Sequence, residues 1–314
     1  MSVRATETAA LERLERALGA VLRGKAEAVR LAVVCLLARG HLLIEDVPGV
    51  GKTTLAHGLA RAIDCGFHRL QFTSDMLPSD VLGVTIYNAH SEEFEFKPGP
   101  IFTNFLLADE INRTTPKTQS ALLEAMNERQ VTIDGRPIPL PEPFMVIATQ
   151  NPAEHHGTYP LPESQLDRFL MRLRIGYPDP SSEREILRQE PDARAEPVMN
   201  GAELAELQDA VHQVRVEDAV ADYLLAIVEK TRTHDALALG VSPRGSQALY
   251  RAAQARAFAE GRTFAIPDDV KRLAVAVFGH RVMVQPRAAP VGGQRSHQGD
   301  QVIRDILNVV EVPL

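Results

Sequence analysis

In Glu45–Thr54, EDVPGVGKTT, two glycines, a lysine and two threonines follow at the spacing of a phosphate-binding loop. Backbone N–H groups of a tight loop at a helix N-terminus point at phosphate oxygens. Gly49 and Gly51 let the main chain come close, Lys52 brings charge to the outer phosphates, and Thr53 offers a hydroxyl to Mg2+. The first position of G-x-x-x-x-G-K-[ST] is Asp46 instead of Gly. That glycine eases the turn out of a strand and does not itself hold phosphate, and Asp tolerates turn geometry well. Its carboxylate must then point away from the phosphates. The nucleotide-binding candidates here are Asp46, Val47, Pro48, Gly49, Val50, Gly51, Lys52, Thr53 and Thr54.

A second acidic motif fits the same chemistry. FLLADEINR ends an apolar strand in Asp109 and Glu110, at the carboxyl edge where α/β sheets bind ligands. Asp109 would hold Mg2+ with Thr53, and Glu110 would act as general base on the attacking water. VIATQNP brings Asn151 to the same edge, where its amide could orient water and γ-phosphate; the alternative is a turn start. PLPESQLDRF places Arg168 near the end of a short helix, as an arginine finger or as an ion pair with Asp167. In SPRGSQALY, Ser242 reads as N-cap and Pro243 as first helical residue, so Arg244 projects from a helix N-terminus, toward phosphate or simply into solvent. His155 and His156 are adjacent, but no further His or Cys is spaced to complete a metal site, so they read as polar loop.

These residues need a sheet to position them. HLLIED, FHRLQFT, FLLADE, FMVIATQ and LMRLRIGY are short apolar strands, separated in part by helical stretches. That alternation predicts a parallel sheet covered on both faces. Leu11, Leu14, Leu18 and Leu22 lie at helical spacing, and KAEAVRLAVVCLLARG is a second helix with Gly40 as its C-cap. VTIYNAHSEEFEFKPG and VTIDGRPIPL read as hairpins, the second around Asp134-Gly135. From about Ser181 the pattern is helical throughout, with EPDARAEPVMNG as a linker and QPRAAPVGGQRSHQGDQ as a surface loop. The chain therefore divides into an α/β core over residues 1–180 and a helical lid over 181–314.

Composition narrows the class. The 314 residues carry a net charge of −7 and are 45% hydrophobic, enough for a sizeable core and without a global basic field for nucleic acid. No apolar run is long enough for a membrane span and no signal-peptide pattern opens the chain. The two cysteines, Cys35 and Cys65, read as buried reduced thiols, so a cytoplasmic protein is expected.

The ordered set EDVPGVGKTT, QFTSDMLPSDVLG, FKPGPIF, LLADEINRTTPKTQSALLEAMNERQVTIDG, IATQNPAEHHGTYPLPESQLDRF and SPRGSQALYRAAQARA closely resembles the MoxR family of AAA+ ATPases, from about Val21 to the last helix. In that family Asp is an accepted variant at the position of Asp46. The resemblance implies a five-stranded parallel sheet ordered 5-1-4-3-2 and a C-terminal helical lid. It implies one hairpin inserted within helix two and another before sensor one. It makes Asn151 sensor one, Arg168 the arginine finger and Arg244 sensor two, and puts Val21 and Leu22 against adenine. It further implies Mg2+-dependent ATP hydrolysis, a homo-oligomeric ring, most often of six. It also implies chaperone-like assembly or maturation of clients with a partner bearing a von Willebrand factor A domain. The alternatives are a chelatase-like motor subunit, a nucleotide-gated scaffold with little turnover, and a nucleic-acid motor, the last disfavoured by the acidic charge.

Overall fold

A computed structural model describes residues 3–151, 157–188, 195–285 and 295–313. Five strands form the central sheet: β1 (Leu42–Glu45), β2 (Phe67–Gln71), β5 (Phe105–Asp109), β8 (Met145–Gln150) and β9 (Met171–Leu173). Their spatial order is β2-β5-β8-β1-β9, with every pairing parallel. Numbered among themselves, they run 5-1-4-3-2, as the resemblance implies. Alternate side chains of one strand enter opposite cores, because successive Cβ atoms point to opposite faces. Leu42 and Ile44 join Phe105, Leu107, Met145 and Ile147 on one face. Leu43 joins Leu106, Ala108, Val146 and Ala148 on the other.

The first face is covered by α1 (Val3–Val21), α2 (Ala26–Leu37) and α3 (Lys52–Ala62), and its core continues into the C-terminal helices. The leucines at helical spacing, Leu11, Leu14, Leu18 and Leu22, are all buried there. The second face is covered mainly by α4 (Pro78–Leu82) and α5 (Pro116–Glu128). The helix α6 (Glu163–Leu166) precedes β9.

The end of α2 differs from expectation. Arg39, not Gly40, takes the left-handed position, with φ 51°. The N–H of Gly40 bonds to Cys35 O at 2.9 Å and that of Arg39 to Leu36 O at 3.0 Å, a Schellman ending. Gly40 is needed for another reason: a Cβ there would lie 2.3 Å from Leu170 Cδ2. Gly40→Ala should therefore destabilise the fold by about 1–3 kcal/mol through overpacking, read as a lower urea midpoint at unchanged slope.

Both hairpins form: β3 (Gly83–Asn88) with β4 (Glu93–Pro98), and β6 (Gln130–Ile133) with β7 (Arg136–Pro139). Asp134 and Gly135 have φ of 50° and 76°, the two positive values of a type I′ turn. Thr85 Oγ1 donates to Asp134 Oδ2 at 2.6 Å, so the two hairpins touch. The first hairpin follows α4 but returns to β5 through non-helical turns, so only one side of it is helical.

The C-terminal region holds α7 (Pro180–Ile186), α8 (Gly201–Val211), α9 (Asp218–Thr233), α10 (Pro243–Ala259), α11 (Pro267–Phe278) and α12 (Arg295–Val309). It is not helical throughout: β10 (Leu237–Leu239) and β11 (Met283–Val284) make a short antiparallel ribbon. Of the segment expected as a loop before the last helix, residues 286–294 lie outside the described residues, and residues 295–301 belong to α12. The linker docks on the core where it is described, Val198 N donating to Ala62 O at 2.8 Å. Both cysteines are free; Cys35 is buried as expected, while Cys65, just past α3, is only half-buried.

Candidate functional site

The phosphate loop leaves β1 and closes onto α3, whose N-cap is Gly51 at φ 99°. Gly49 has φ 83°, and among the described residues nothing beyond its chain neighbours lies within 4 Å of where its Cβ would be, which leaves room for a ligand there. Both conformations favour glycine. Asp46 resolves the irregular first position. Its Oδ2 accepts from the N–H groups of Ile175 at 2.7 Å and Gly176 at 2.6 Å, and its Oδ1 from Val47 N at 2.9 Å. The carboxylate thus staples the loop to the chain beyond β9 and takes no part on the ligand side. Lys52 Nζ donates to Asp46 O at 2.7 Å. Thr53 and Thr54 are exposed in the first turn of α3, Pro48 is exposed, and Val47 is half-buried, while Val50 is buried beneath the loop. Leu22 reaches the loop, since a Cβ on Gly51 would lie 2.6 Å from its Cδ1, whereas Val21 packs two turns along α3, where a Cβ on Gly58 would lie 3.4 Å from its Cγ2.

The sheet order sets Asn151, at the end of β8, between the loop after β1 and Asp109 and Glu110 after β5. A buried hydroxyl that the sequence reading missed organises this edge. Thr149 Oγ1 donates to Asp109 Oδ1 at 2.6 Å and accepts from Glu110 N at 2.9 Å. Two residues of β2 were missed as well. Arg69 Nη2 donates to Asp109 Oδ2 at 2.7 Å, and Gln71 Nε2 to Glu110 Oε2 at 2.9 Å. Arg113 also pairs with Glu110 Oε2, at 2.8 Å. The only signal for Arg69 and Gln71 was their place on a strand whose neighbour carries the acids. Glu110 sits at φ 56°, ψ 50°, an unfavourable backbone position for a non-glycine residue, held by these contacts.

The arginines lie elsewhere. Arg168 follows α6, and Arg244 stands in the first turn of α10, whose N-cap Ser242 accepts from Gly245 N at 3.1 Å. Both line one cavity with Gly40 and His41, which precede β1. They are therefore at the amino edge of a parallel sheet, opposite the phosphate loop of the same chain. Arg168 does not pair with Asp167; its Nη1 donates to the carbonyl of Leu123. Asp167 instead accepts from Arg281 Nε at 2.8 Å.

A buried ion network joins the last helix to the loop's strand. Arg172 of β9 donates to Glu45 Oε2 at 3.1 Å and to Asp300 Oδ1 of α12, and all three side chains are buried. His155 and His156 lie outside the described residues; among those described, no group of His, Cys, Asp and Glu could hold a metal ion by itself.

A five-stranded 5-1-4-3-2 sheet with a glycine loop opening its first core helix is the architecture of an AAA+ core. The family model for ATPases associated with various cellular activities matches residues 41–171, and the AAA lid domain model matches 229–306. The chain is 51% identical over 298 residues to the uncharacterized protein YeaC of Bacillus subtilis, covering 94% of this chain and 92% of that one. It is 44% identical over 285 residues to chaperone MoxR1 of Mycobacterium tuberculosis, covering 86% and 76%. The crystal structure of a candidate ATPase from Cytophaga hutchinsonii superposes with a TM-score of 0.90 at 36% identity, over 99% of this chain and 97% of that one. The chain belongs to the MoxR family of AAA+ ATPases. No helix among the described residues is long and apolar enough to cross a membrane.

Proposed function

We propose that the chain binds ATP with Mg2+ on Asp46–Thr54 and hydrolyses it to drive chaperone-like remodelling of client protein complexes. The carrying observation is the arrangement at the carboxyl edge: Thr149 fixes Asp109 and Glu110 together, while the Asp46 carboxylate is turned away from the loop's open side. The donor set fits the ligand, with backbone N–H groups, one ammonium, a threonine hydroxyl and one carboxylate. Mg2+, held through Thr53 and Asp109, would neutralise charge on the phosphate oxygens. Glu110 would take a proton from the attacking water, Asn151 would orient that water, and Val21 and Leu22 would pack on the adenine.

Arg168 and Arg244, on the opposite edge, would serve the nucleotide of a neighbouring subunit. This favours a head-to-tail homo-oligomer, closed as a ring of about six in this reading. The division into a core over 1–180 and a lid over 181–314, a cytoplasmic location, and a partner with a von Willebrand factor A domain complete the proposal. A nucleotide-gated scaffold would retain binding without turnover, so a turnover assay separates the two.

Lys52→Ala is expected to weaken binding of a fluorescent ATP analogue by at least about tenfold, since a hydrogen bond to a charged group contributes about 1.5–3 kcal/mol. Unchanged affinity in a titration would remove the phosphate-loop assignment.

A further inference from the structure

One cavity, of about 180 Å³, holds more positive charge than its surroundings balance. Six arginines line it: Arg39, Arg129, Arg168, Arg244, Arg251 and Arg281. Two of them are accounted for. Arg39 pairs with Asp209 at 2.8 Å, and Arg281 with Asp167 at 2.8 Å. Asp167, the one acid in the lining among the described residues, is also engaged by Ser242 Oγ at 3.0 Å. His41 adds no charge at neutral pH, because burial pushes it down to about 4. Its ring is occupied in any case, by Met126 O at 3.1 Å and Val146 N at 3.0 Å.

That leaves Arg129, Arg168, Arg244 and Arg251. None has a carboxylate partner among the described residues. Arg168 Nε is buried without a partner. Arg129 is presented by a left-handed residue, φ 53°, at the end of α5. Arg251 lies seven residues beyond Arg244, on the same face of α10. Enclosure by protein, then the charges of Arg129 and Arg244, push the Arg251 guanidinium below the usual arginine range. Like charges gathered without a counter-charge raise the free energy of the fold, and a ligand of high negative charge relieves this. Guanidinium forks match phosphate oxygens in pairs.

We propose that Arg129 and Arg251 join Arg168 and Arg244 in one receptor for a polyphosphate, supplied by the nucleoside triphosphate on the phosphate loop of a second copy of this chain. The same chain's loop is excluded by distance. The cavity lies at the start of β1 and the loop at its end, roughly 13 Å apart for four strand residues. This inference rests on the reading of the chain as an ATPase whose sites are shared between subunits.

Free polyphosphate carries the same chemistry, so the test has two arms. In the first, the Lys52→Ala chain is titrated with inorganic tripolyphosphate and its melting temperature followed. A rise is expected, with half-saturation shifted by about tenfold or more on adding Arg129→Gln or Arg251→Gln. In the second, the same two Gln substitutions are placed in the otherwise unaltered chain, and KM for ATP is measured at concentrations that fill the ring. An increase of about tenfold is expected, partly recovered by Arg→Lys. Both residues are exposed overall, and a ligand-free melting temperature no lower than that of the parent chain, higher if one like charge less relieves the fold, verifies folding. A tripolyphosphate response insensitive to both substitutions overturns the receptor. A sensitive response with unchanged KM assigns the cavity to free polyphosphate and overturns the neighbour as source. If Arg168→Ala alone also leaves turnover at the full rate, it is the shared-site reading itself that has failed.

Discussion

A Glu110→Gln chain should still take up Mg-ATP but turn it over about 10²–10⁴-fold more slowly, the usual contribution of a general base. The amide keeps the size of the side chain, and its oxygen can still accept from Gln71 Nε2 and Arg113 Nε, which both reach Oε2 of the carboxylate. The N–H of residue 110 stays on Thr149 Oγ1, so the left-handed backbone is retained. What is lost is the proton acceptor and the charge that faces Arg113. Equilibrium binding of a labelled ATP analogue and single-turnover hydrolysis separate the two effects. Near-normal turnover would move the base to another residue, Asp109 first.

Arg168→Ala is expected to leave the ATP affinity of the dilute, unassembled chain nearly intact, since its own loop is untouched, and to cut turnover of the assembled chain by about 10³-fold, the low end for an arginine finger. The position of Arg168 at the amino edge motivates this, because its own phosphate loop is at the other edge. Mixing gives the sharpest readout. A Lys52→Ala chain lacks the loop's ammonium yet can lend its Arg168. An Arg168→Ala chain binds ATP yet cannot activate its neighbour. Mixed rings should regain activity wherever an intact arginine meets an intact loop. Specific activity of the unaltered chain should rise with concentration for the same reason. A mixture that stays inactive after verified subunit exchange, or a dilute monomer working at the full rate, contradicts a shared site.

Much of the core was legible because β1, β5 and β8 are short, mostly buried runs that end at Glu45, Asp109 and Gln150, at or beside the residues able to do chemistry. Asp46 illustrates how far the reading reached. The need for its carboxylate to point away followed from charge alone, but its receivers, the N–H groups of Ile175 and Gly176, are about 130 residues distant in sequence. The ribbon of β10 and β11 was missed because three and two residues cannot display alternation. Gly40 was misassigned because a glycine after a helix reads as a cap, whereas here a side chain of Leu170 claims the space. Thr149, Arg69 and Gln71 carry no motif of their own; only strand pairing shows which acids they meet. The arginine cavity was hidden by the net charge of −7, which averages a local excess into an acidic total.

The network of Arg172, Glu45 and Asp300 bears on how such a chain would do work. Breaking a buried ion pair by removing one partner costs about 3–5 kcal/mol. Pulling α12 off the sheet would expose the same charges one at a time, and Arg281 with Asp167 adds a second weld close by. The seam between α12 and the strands beside the nucleotide loop is therefore held by charge as well as by apolar packing, so a substitution at Asp300 reaches, through Arg172, the Glu45 that ends the loop's own strand.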